Sequence, residues 1–497
     1  MRLFIKSLSL LLAILMIASV AISCGKTDDN KGNKDNNKDT SSVATTTATG
    51  ETEYQSKLPQ MDWEGTQYRI LGRQYTEEIF TNFEVDRDEM PEDVVGLAVW
   101  NRNEALLAKY GIDVVGNLVE KPQEEAKIFL ESGDDLYDLF MCPNTYMQQF
   151  GMAGHLININ SLEYVDFEND CWNDYANEQL TFGGKLYYTT NKFLLQDKHR
   201  TWIVWYNRTL ANELNAGYLE QEVFDGTWTI DRFIELSKTC SQESDGQDGM
   251  TAGDTWGVTI HTAGNFAQLL YGCGFRLSEM QSDGYPALIG ATDYMLSIVD
   301  KVLELTVDTE HCYVQSLRPN ADDNNNDIES TFREGRAVSM THAVSWLSNL
   351  ARVNFEYGVL PMPKYTEEQE DYYCTPGIGN SCLMAVPATI NDIKFAGFAL
   401  EAISEESVDT SYTEYIETKC KLQIAYDEDM SKCFRIIFDS IVYDIAFIDG
   451  YGGLDKVIKT DIIMSNSNVY GRLFTKYERK ARNEMNKTKE AYAALEY

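Results

Sequence analysis

The chain has 497 residues, of which 43% are hydrophobic and 12% aromatic, so it is long enough for two globular lobes. Its 42 basic residues are outnumbered by 78 acidic residues, which gives a net charge of −36. A surface this acidic repels phosphate backbones, which argues against nucleic acid as a partner and is typical of a protein that stays in solution.

The start of the chain predicts secretion and membrane anchoring. Arg2 and Lys6 precede an uncharged apolar run over 8–20, and small residues lie just before Cys24. These features form a secretory signal, which is too short for a durable transmembrane span. The cysteine after this signal resembles the lipobox of bacterial lipoproteins, in which the cysteine is acylated and becomes the mature N-terminus. We therefore expect removal of residues 1–23 and a lipid on Cys24, at the outer face of the cytoplasmic membrane.

The next segment, residues 24–60, predicts a flexible tether. It is rich in Lys, Asp, Asn and Thr and has almost no apolar side chains to bury. Such a composition does not offset the entropy of ordering, so we expect the segment to stay disordered between the membrane and the folded body. No second apolar stretch approaches about 18 residues, so no further membrane span is predicted.

The cysteines other than Cys24 predict neither a disulfide framework nor a zinc site. Their number is odd, and none is spaced as C-x-x-C. We interpret most of them as small buried hydrophobic residues, with one or two disulfides left open. They lie at positions 142, 171, 240, 273, 312, 374, 382, 420 and 433.

Short apolar runs alternate with amphipathic patterns in the first part of the folded body, which predicts an α/β lobe with a largely parallel sheet. The expected strands lie at 68–72, 112–115 and 136–142, and the expected helix carries Val95, Val99, Leu106 and Tyr110 and ends at Gly111. A loop is expected at 143–146. Ligands sit outside the carboxyl ends of strands in doubly wound sheets, which makes Arg73, Gln74 and Asn144 candidate contacts.

A second α/β region follows, with an apolar strand at 201–207 and a helix that Thr229 is expected to cap. Four stretches resemble extracellular solute-binding proteins of the maltose-binding type. They are Trp205-Tyr206-Asn207-Arg208, Gly226-Thr227-Trp228-Thr229, Phe332-Arg333-Glu334-Gly335-Arg336-Ala337-Val338 and Gly358-Val359-Leu360-Pro361. Together with 366–372 and 442–445, which look like a branch common in clostridial carbohydrate importers, these matches span roughly residues 66–450.

The resemblance implies an α/β, two-lobed periplasmic-binding-protein-like fold, with a hinge of crossing segments and an interlobe ligand cleft. The implied division is lobe 1 over 61–189, lobe 2 over 190–340, a return segment of lobe 1 over 341–374, and lobe 2 with C-terminal helices over 375–497. The implied crossings lie near 187–191, 339–342 and 373–379. Such segments absorb the rotation that closes a cleft.

The resemblance also implies a function. The chain would be a monomeric binding component of an ABC importer, without catalytic activity or cofactor. It would deliver a carbohydrate, expected to be an oligosaccharide, to membrane permease subunits. No G-x-x-x-x-G-K-[ST] motif occurs, so a separate chain would hydrolyse ATP. Two alternatives stay open: a secreted carbohydrate-active hydrolase with a carboxylate pair, and a sensory binding lipoprotein for a membrane kinase.

A sugar has an apolar ring face and a rim of hydroxyl groups, so its receptor needs aromatic platforms and hydrogen-bonding side chains. Phe266, next to Asn265, and Trp346 match positions at which the family carries aromatic residues. Asp444 lies in a C-terminal stretch that is expected to face the cleft. The predicted ligand contacts are therefore Arg73, Gln74, Asn144, Asn265, Phe266, Trp346 and Asp444.

Two acidic segments, 243–249 and 322–327, are compatible with calcium or with ordinary solvated loops. The first departs from the order D-x-[DN]-x-[DN]-G, and the second is rich in turn-forming residues. No metal site is predicted.

If Cys24 is the anchor, cells grown with a clickable fatty acid should label the wild-type protein and leave Cys24→Ser unlabelled. Cys142→Ser is the control and should be labelled like the wild type. Equal labelling of Cys24→Ser would contradict the lipoprotein interpretation.

Overall fold

The computed structural model of the chain describes residues 56–75, 81–86, 90–261, 264–317, 327–350, 352–421 and 428–495. Cys24, the predicted signal peptide and most of the predicted tether lie outside these residues. Within the described ranges, no helix combines the length and the apolar character needed to span a bilayer.

The strands are β1 (Thr66–Arg73), β2 (Ile112–Val119), β3 (Leu139–Pro143), β4 (Thr181–Phe182), β5 (Lys185–Leu186), β6 (Trp202–Asn207), β7 (Trp256–Ile260), β8 (Ser278–Met280), β9 (Pro286–Leu288), β10 (Cys312–Val314), β11 (Ala337–Ala343), β12 (Tyr357–Leu360) and β13 (Cys382–Ala385). The α-helices are α1 (Val94–Tyr110), α2 (Pro122–Ser132), α3 (Asn144–Met152), α4 (Asp174–Leu180), α5 (Gln196–His199), α6 (Arg208–Glu213), α7 (Leu219–Phe224), α8 (Ile230–Cys240), α9 (Asn265–Gly272), α10 (Asp293–Thr306), α11 (Asp327–Arg333), α12 (Ile393–Ser407), α13 (Thr413–Lys421), α14 (Glu428–Asp439), α15 (Ile445–Ile448), α16 (Leu454–Lys456), α17 (Ile462–Ser465) and α18 (Tyr470–Ala493).

The first sheet forms the centre of lobe 1. Its strand order is β13-β3-β1-β2, in which β1 is parallel to both β2 and β3, and β13 is antiparallel to β3. One face of this sheet packs against α1 and α12 in a core that includes Tyr68, Ile70, Leu106 and Phe398. Burial of these apolar side chains holds the two helices on the sheet.

The second sheet forms the centre of lobe 2. Its order is β10-β7-β11-β6-β12. The strand pairs β10–β7 and β7–β11 are parallel, whereas β6 is antiparallel to both β11 and β12. Helix α8 packs on β7, and α14 packs on β12.

Most of the local predictions are confirmed. Gly111 ends α1 in the left-handed conformation, with φ of 65°, and Thr229 caps α8 by accepting a hydrogen bond from the amide of Arg232 at 3.3 Å. The loop predicted after β3 is wrong, because α3 starts at Asn144. Pro143 is the residue directly before this helix, a position where the missing backbone N–H of proline costs no helical hydrogen bond.

The strand pairing corrects the predicted lobe boundaries. The crossing predicted at 339–342 is wrong, because these residues lie inside β11. The segment 341–374 does not return to lobe 1, since its strand β12 pairs with β6. The segment 375–497 is not confined to lobe 2, since β13 pairs with β3 and α12 packs on lobe 1. The sequence motifs located the strands but carried no information on which sheet each strand joins.

Two crossings lie where the sequence predicts them, between the sheets. Thr189 forms an isolated bridge with Met384, and Thr201 forms one with Pro376. The segment before β6 and the segment before β13 therefore run side by side as they pass from one lobe to the other. A third segment joins them, because Cys374 forms a bridge with Ile441.

A buried carboxyl group, Glu84, lies beside these crossing segments. Its Oε1 accepts hydrogen bonds from Asn82 Nδ2 at 3.1 Å and from the amide of Gln196 at 3.2 Å, while Oε2 has no partner among the described residues. Glu84 is fully buried. Burial raises the pKa of Glu84 to about 7.

This raised pKa predicts a pH-dependent stability. The folded state binds the Glu84 proton more tightly than the unfolded state, so its stabilising contribution is complete below about pH 4.5 and is lost as the pH rises to about 7. We expect Glu84→Gln to remove this loss, so that it is more stable than the wild type at pH 8 by on the order of 2 to 3 kcal/mol and gains nothing at pH 4.

Urea unfolding at several pH values measures the difference. Glu131→Gln changes a carboxyl group that is exposed on lobe 1, and it should follow the wild type at every pH. A gain for Glu84→Gln that is the same at pH 4 and pH 8 would contradict the linkage.

Candidate functional site

The carboxyl ends of the parallel strands define one edge of each sheet. In lobe 1 this edge lies at Arg73, Val119 and Pro143, where β1, β2 and β3 end. In lobe 2 the strands β7, β10, β11 and β12 run in the same direction, and β6 begins at the edge where they end. Such edges are where α/β sheets bind ligands.

One segment contacts both edges. The amide of Gly379 donates to Asn144 Oδ1 at 2.8 Å, next to the end of β3. In the same segment, the carbonyl of Thr375 accepts from the amide of Trp202 at 3.1 Å, at the start of β6. The two sheet edges are therefore linked directly, and the side chains around Trp202 lie next to the hinge.

A group of rings lies at the edge of lobe 2, and we call it the cleft cluster: Trp202, His261, Glu329, His342 and Trp346. The His342 ring is the centre of the group, with ring centroids 4.6 Å from His261, 5.5 Å from Trp202 and 5.5 Å from Trp346. His261, His342 and Trp346 contact the Glu329 carboxylate, and Trp202 packs against the two imidazole rings.

Glu329 holds the two imidazole rings in place. Its Oε1 lies 3.4 Å from His261 Nε2 and 3.3 Å from His342 Nε2. Burial raises the pKa of Glu329, but the donors His261, His342 and Trp346 outweigh burial and hold that pKa well below its ordinary value. Burial lowers the pKa of His342 to about 4. At neutral pH the cluster therefore contains an ionised carboxylate and a neutral His342.

The spacing of His261, Glu329 and His342 also raises the question of a metal ion, since their ligand atoms lie within 4.8 Å of one another. The hydrogen bonds oppose this. His342 Nδ1 accepts from the amide of Ala343 at 2.9 Å, so the proton of the neutral ring is on Nε2, which then donates to Glu329. A metal-binding Nε2 needs a free lone pair and a proton on Nδ1, which is the opposite arrangement.

The ligand contacts predicted in lobe 1 lie at the sheet edge but differ in how far their side chains are exposed to solvent. Arg73 is the last residue of β1, and its guanidinium lies 5.5 Å from the ring centroid of Tyr75. Gln74 is exposed. Asn144 is buried, and its Nδ2 donates to Ser381 Oγ at 2.9 Å in addition to the contact with Gly379. Asn144 thus joins β3 to the crossing segment, and its role as a ligand contact stays a prediction.

The residues predicted in lobe 2 lie at or behind the edge. Asn265 and Phe266 begin α9, directly after β7, and both are buried. Phe266 is fully covered by the core and presents no ring face in this structure, so its role as a stacking platform stays a prediction. Trp346 belongs to the cleft cluster and is 3% exposed. The structure therefore brings Trp346 next to polar groups that a ligand could use.

Asp444 lies apart from the cleft cluster. It borders a cavity of about 210 Å³ that is also lined by Tyr175, Arg276 and Tyr443. Its carboxylate accepts from the Tyr271 hydroxyl at 2.8 Å, from the amide of Leu277 at 2.6 Å and from the amide of Ala446 at 3.0 Å. These bonds cap α15 and fix the chain before β8, and the predicted contact of Asp444 with a ligand stays a prediction.

Four members of the cleft cluster were not predicted as ligand contacts: Trp202, His261, Glu329 and His342. The two histidines are too far apart in the sequence to form a motif. Trp202 lies close to His342 because Ala343, the residue after His342, pairs with Trp202 in the antiparallel β11–β6 pair. Register becomes visible only in the folded sheet.

Two carboxylates, Asp245 in the acidic loop at 243–249 and Asp254 just after it, accept hydrogen bonds from this part of the chain. Asp254 is buried and accepts from the amides of Ser244, Asp245 and Thr251. Asp245 accepts from the amide of Gln247 at 2.8 Å and from the hydroxyl of Thr251 at 2.6 Å. The loop is thus closed by its own hydrogen bonds. The second acidic segment, at 322–327, falls almost entirely outside the described residues.

Comparison with known proteins identifies the fold. No family model and no curated protein matches the sequence. Three solved structures that resemble the chain are a galacto-N-biose/lacto-N-biose I-binding protein of an ABC transporter from Bifidobacterium longum in complex with lacto-N-biose, an ABC substrate-binding protein from Listeria monocytogenes in complex with cycloalternan, and a cyclo/maltodextrin-binding protein complexed with maltotetraose.

The likeness extends over most of each molecule. For the Bifidobacterium protein the TM-score is 0.56 at 12% identity, covering 86% of this chain and 98% of that chain. For the Listeria protein the values are 0.52, 13%, 84% and 98%, and for the maltodextrin-binding protein they are 0.51, 16%, 90% and 100%. The two-lobed periplasmic-binding-protein-like fold expected from the sequence is confirmed.

The position of Trp346 predicts two separable effects of substitution. Because its side chain is buried against Phe332 and His342, Trp346→Ala should lower the free energy of unfolding by about 3 to 5 kcal/mol. If the indole also contacts a ligand, Trp346→Phe, which keeps most of the packing, should still weaken binding. Calorimetry with maltotetraose, together with a thermal melt of each variant, measures both effects.

Trp228→Phe is the matched control, because Trp228 is fully buried and its Nε1 donates to the carbonyl of Pro361 at 3.0 Å, away from the cluster. It should lose stability without losing affinity. If Trp346→Phe behaves in the same way, Trp346 is a core residue only.

Proposed function

We propose that this chain is the carbohydrate-binding component of an ABC importer, which captures an oligosaccharide between its two lobes. The observation that carries the proposal is the cleft cluster, which places rings and hydrogen-bonding groups together at the ligand-binding edge of a two-lobed fold. The solved structures that share this fold include proteins in complex with lacto-N-biose, cycloalternan and maltotetraose.

The chemistry of the cluster suits a sugar. Trp202, which is partly exposed, provides a flat apolar surface on which the C–H face of a pyranose ring would pack, and the buried Trp346 would add a second ring where the ligand uncovers it. Glu329 and the two imidazole rings provide donors and acceptors for hydroxyl groups on the ring's rim. Arg73 and Gln74 at the opposite edge extend the polar surface to lobe 1.

The proposed role is binding without catalysis. A glycosidase needs two carboxyl groups at a defined separation, one to protonate the leaving oxygen and one to act as nucleophile or base. The cleft cluster contains one carboxyl group, Glu329, whose oxygen Oε1 is already shared by two imidazole donors. Its low pKa keeps it ionised, which is unsuited to a general acid.

The proposed cellular arrangement follows from the sequence. The lipid on Cys24 would hold the protein at the outer face of the cytoplasmic membrane, and the segment up to residue 60 would allow the lobes to reach the permease. The strongly acidic composition supports a monomer that does not bind nucleic acid. Two permease subunits and a separate ATPase would complete the importer.

A thermal-shift screen of residues 56–497 against mono- and oligosaccharides tests the proposal. A specific ligand at a concentration one hundredfold above its dissociation constant should stabilise the protein by about 2.7 kcal/mol. Small-angle scattering with the best sugar should then show a smaller radius of gyration with unchanged secondary structure, because closure is a rigid-body motion.

The screen also separates binding from hydrolysis. The sugar should be recovered chemically unchanged after long incubation with the protein. Cleavage that follows the purified protein would favour the hydrolase, and the absence of stabilisation by any sugar would contradict carbohydrate binding.

A further inference from the structure

The cavity of about 210 Å³ that borders Asp444 lies between α4 and the β8–β9 hairpin, and we call it the α4 cavity. Tyr175 and Glu178 of α4 line one wall. Arg276, just before β8, and Glu279, within β8, line another. One water molecule takes about 30 Å³ in the liquid, so the cavity has room for a small organic molecule and not only for a single ion.

Arg276 is held in place with part of its donor set unused. Its guanidinium carbon lies 4.3 Å from the ring centroid of Tyr373, and Nη1 donates to the carbonyls of Phe275 at 2.8 Å and Tyr271 at 3.3 Å. Nη2 lies 3.5 Å from the Tyr175 hydroxyl. Nε has no partner among the described residues and is not closed off from solvent. Nε and Nη2 together form a side of the guanidinium that can bind both oxygens of a carboxylate.

The same cavity contains carboxylates that do not pair with Arg276. Asp444 accepts from the hydroxyl of Ser278 at 2.5 Å and from its amide at 3.2 Å, so its charge is stabilised within the fold. Glu178 and Glu279 are exposed at the rim, and neither forms an ion pair with a described residue. A guanidinium and two carboxylates therefore line one cavity without forming an ion pair, and the space between them is open to a ligand.

The combination of charges selects the type of ligand. A small anion gains hydrogen bonds from Arg276 but lies near the carboxylates of Glu178 and Glu279. A small cation is attracted by these carboxylates but repelled by Arg276. A molecule that carries both a carboxylate and an ammonium group satisfies both sides at once, whereas a neutral molecule leaves both sides without a counter-charge.

We propose that the α4 cavity is a second ligand site, which binds a small zwitterion. The ligand's carboxylate lies on Nε and Nη2 of Arg276, and its ammonium group lies between Glu178 and Glu279. The chemical class is that of an amino acid. The site is separate from the cleft cluster, and it does not rest on the proposed carbohydrate-binding function.

Calorimetry of the full-length protein, purified in detergent, tests the site with four small probes. Glycine and γ-aminobutyrate carry both charges at two different separations, acetate carries only the negative charge, and methylammonium carries only the positive charge. At least one of the two amino acids should bind about tenfold more tightly than acetate and methylammonium. Absence of binding by both amino acids overturns the proposal. Acetate or methylammonium binding as tightly as the better amino acid overturns the assignment of a zwitterion.

Substitutions then locate the binding. Arg276→Gln keeps a donor for the backbone carbonyls but removes the charge and the paired donors, and it should weaken binding of the better amino acid about tenfold. Its matched control is Arg352→Gln, at an exposed position that is not part of the cavity, which should bind like the wild type. Unchanged affinity of Arg276→Gln would overturn the site.

A second variant keeps the test decisive if Arg276→Gln does not fold. Glu178→Gln combined with Glu279→Gln changes only exposed positions, so a thermal melt should match the wild type while the affinity for the amino acid falls. Glu131→Gln, which is also exposed, should leave that affinity unchanged. Unchanged affinity of the double variant would overturn the role of the two carboxylates.

Maltotetraose, titrated into the same variants, reports on the cleft separately. Binding of an amino acid without binding of any sugar would support the α4 cavity and contradict the proposed function. Binding of a sugar without binding of either amino acid would support the proposed function and overturn the second site.

Discussion

The arrangement of the two lobes depends on a buried ion pair in the hinge. Asp197 and Lys198 are 0% and 3% exposed, and their charged groups lie 3.1 Å apart. Asp197 also accepts from the hydroxyls of Thr190 and Tyr443, both at 2.6 Å, and Lys198 Nζ donates to the carbonyl of Asn191 at 2.7 Å. Two charges removed from water are tolerated only when they are paired and fully hydrogen-bonded, and here the partners come from different crossing segments.

This ion pair joins the segments that cross between the two sheets. The chain around Thr190 leaves lobe 1, α5 carries Asp197 and Lys198 towards β6, and Tyr443 belongs to the C-terminal part of the chain. Because the three segments share one set of hydrogen bonds, none of them shifts alone. A second buried cation, Arg102, ties α1 to the carbonyls of Glu84 and Val85 at 2.7 and 3.0 Å. The interior of the hinge therefore contains buried charged groups held by hydrogen bonds, whereas the core of each lobe is apolar.

The cleft cluster is held together by the same combination of burial and hydrogen bonding. Glu329 is stabilised as an anion by its neighbours, and it in turn orients the imidazole rings that surround it. The hydrogen bonds of the Glu329 carboxylate are thus made to other members of the cluster. Of its two indole rings, that of Trp202 is partly exposed, whereas that of Trp346 is 3% exposed.

The local structure and the type of fold were predictable from the sequence. Short apolar runs predicted β1 and β6, and Gly111 and Thr229 predicted helix ends, because a left-handed glycine or a capping hydroxyl acts within a few residues. The ordered motifs shared with solute-binding proteins led to the two-lobed fold. The same resemblance predicted Trp346 and Phe266 as ligand contacts; both side chains are buried, and both roles stay predictions.

Which strands share a sheet and which side chains meet depends on contacts between distant parts of the chain. β12 joins lobe 2 and β13 joins lobe 1 through pairing with distant strands, and no local pattern encodes a distant partner. The cleft cluster likewise draws Trp202, His261, Glu329 and His342 from four elements. The roles of Asn144 and Asp444 as internal anchors depend on hydrogen bonds to residues far along the chain. Local propensity acts over a few residues, whereas register, burial and shared hydrogen bonds exist only after the chain has folded.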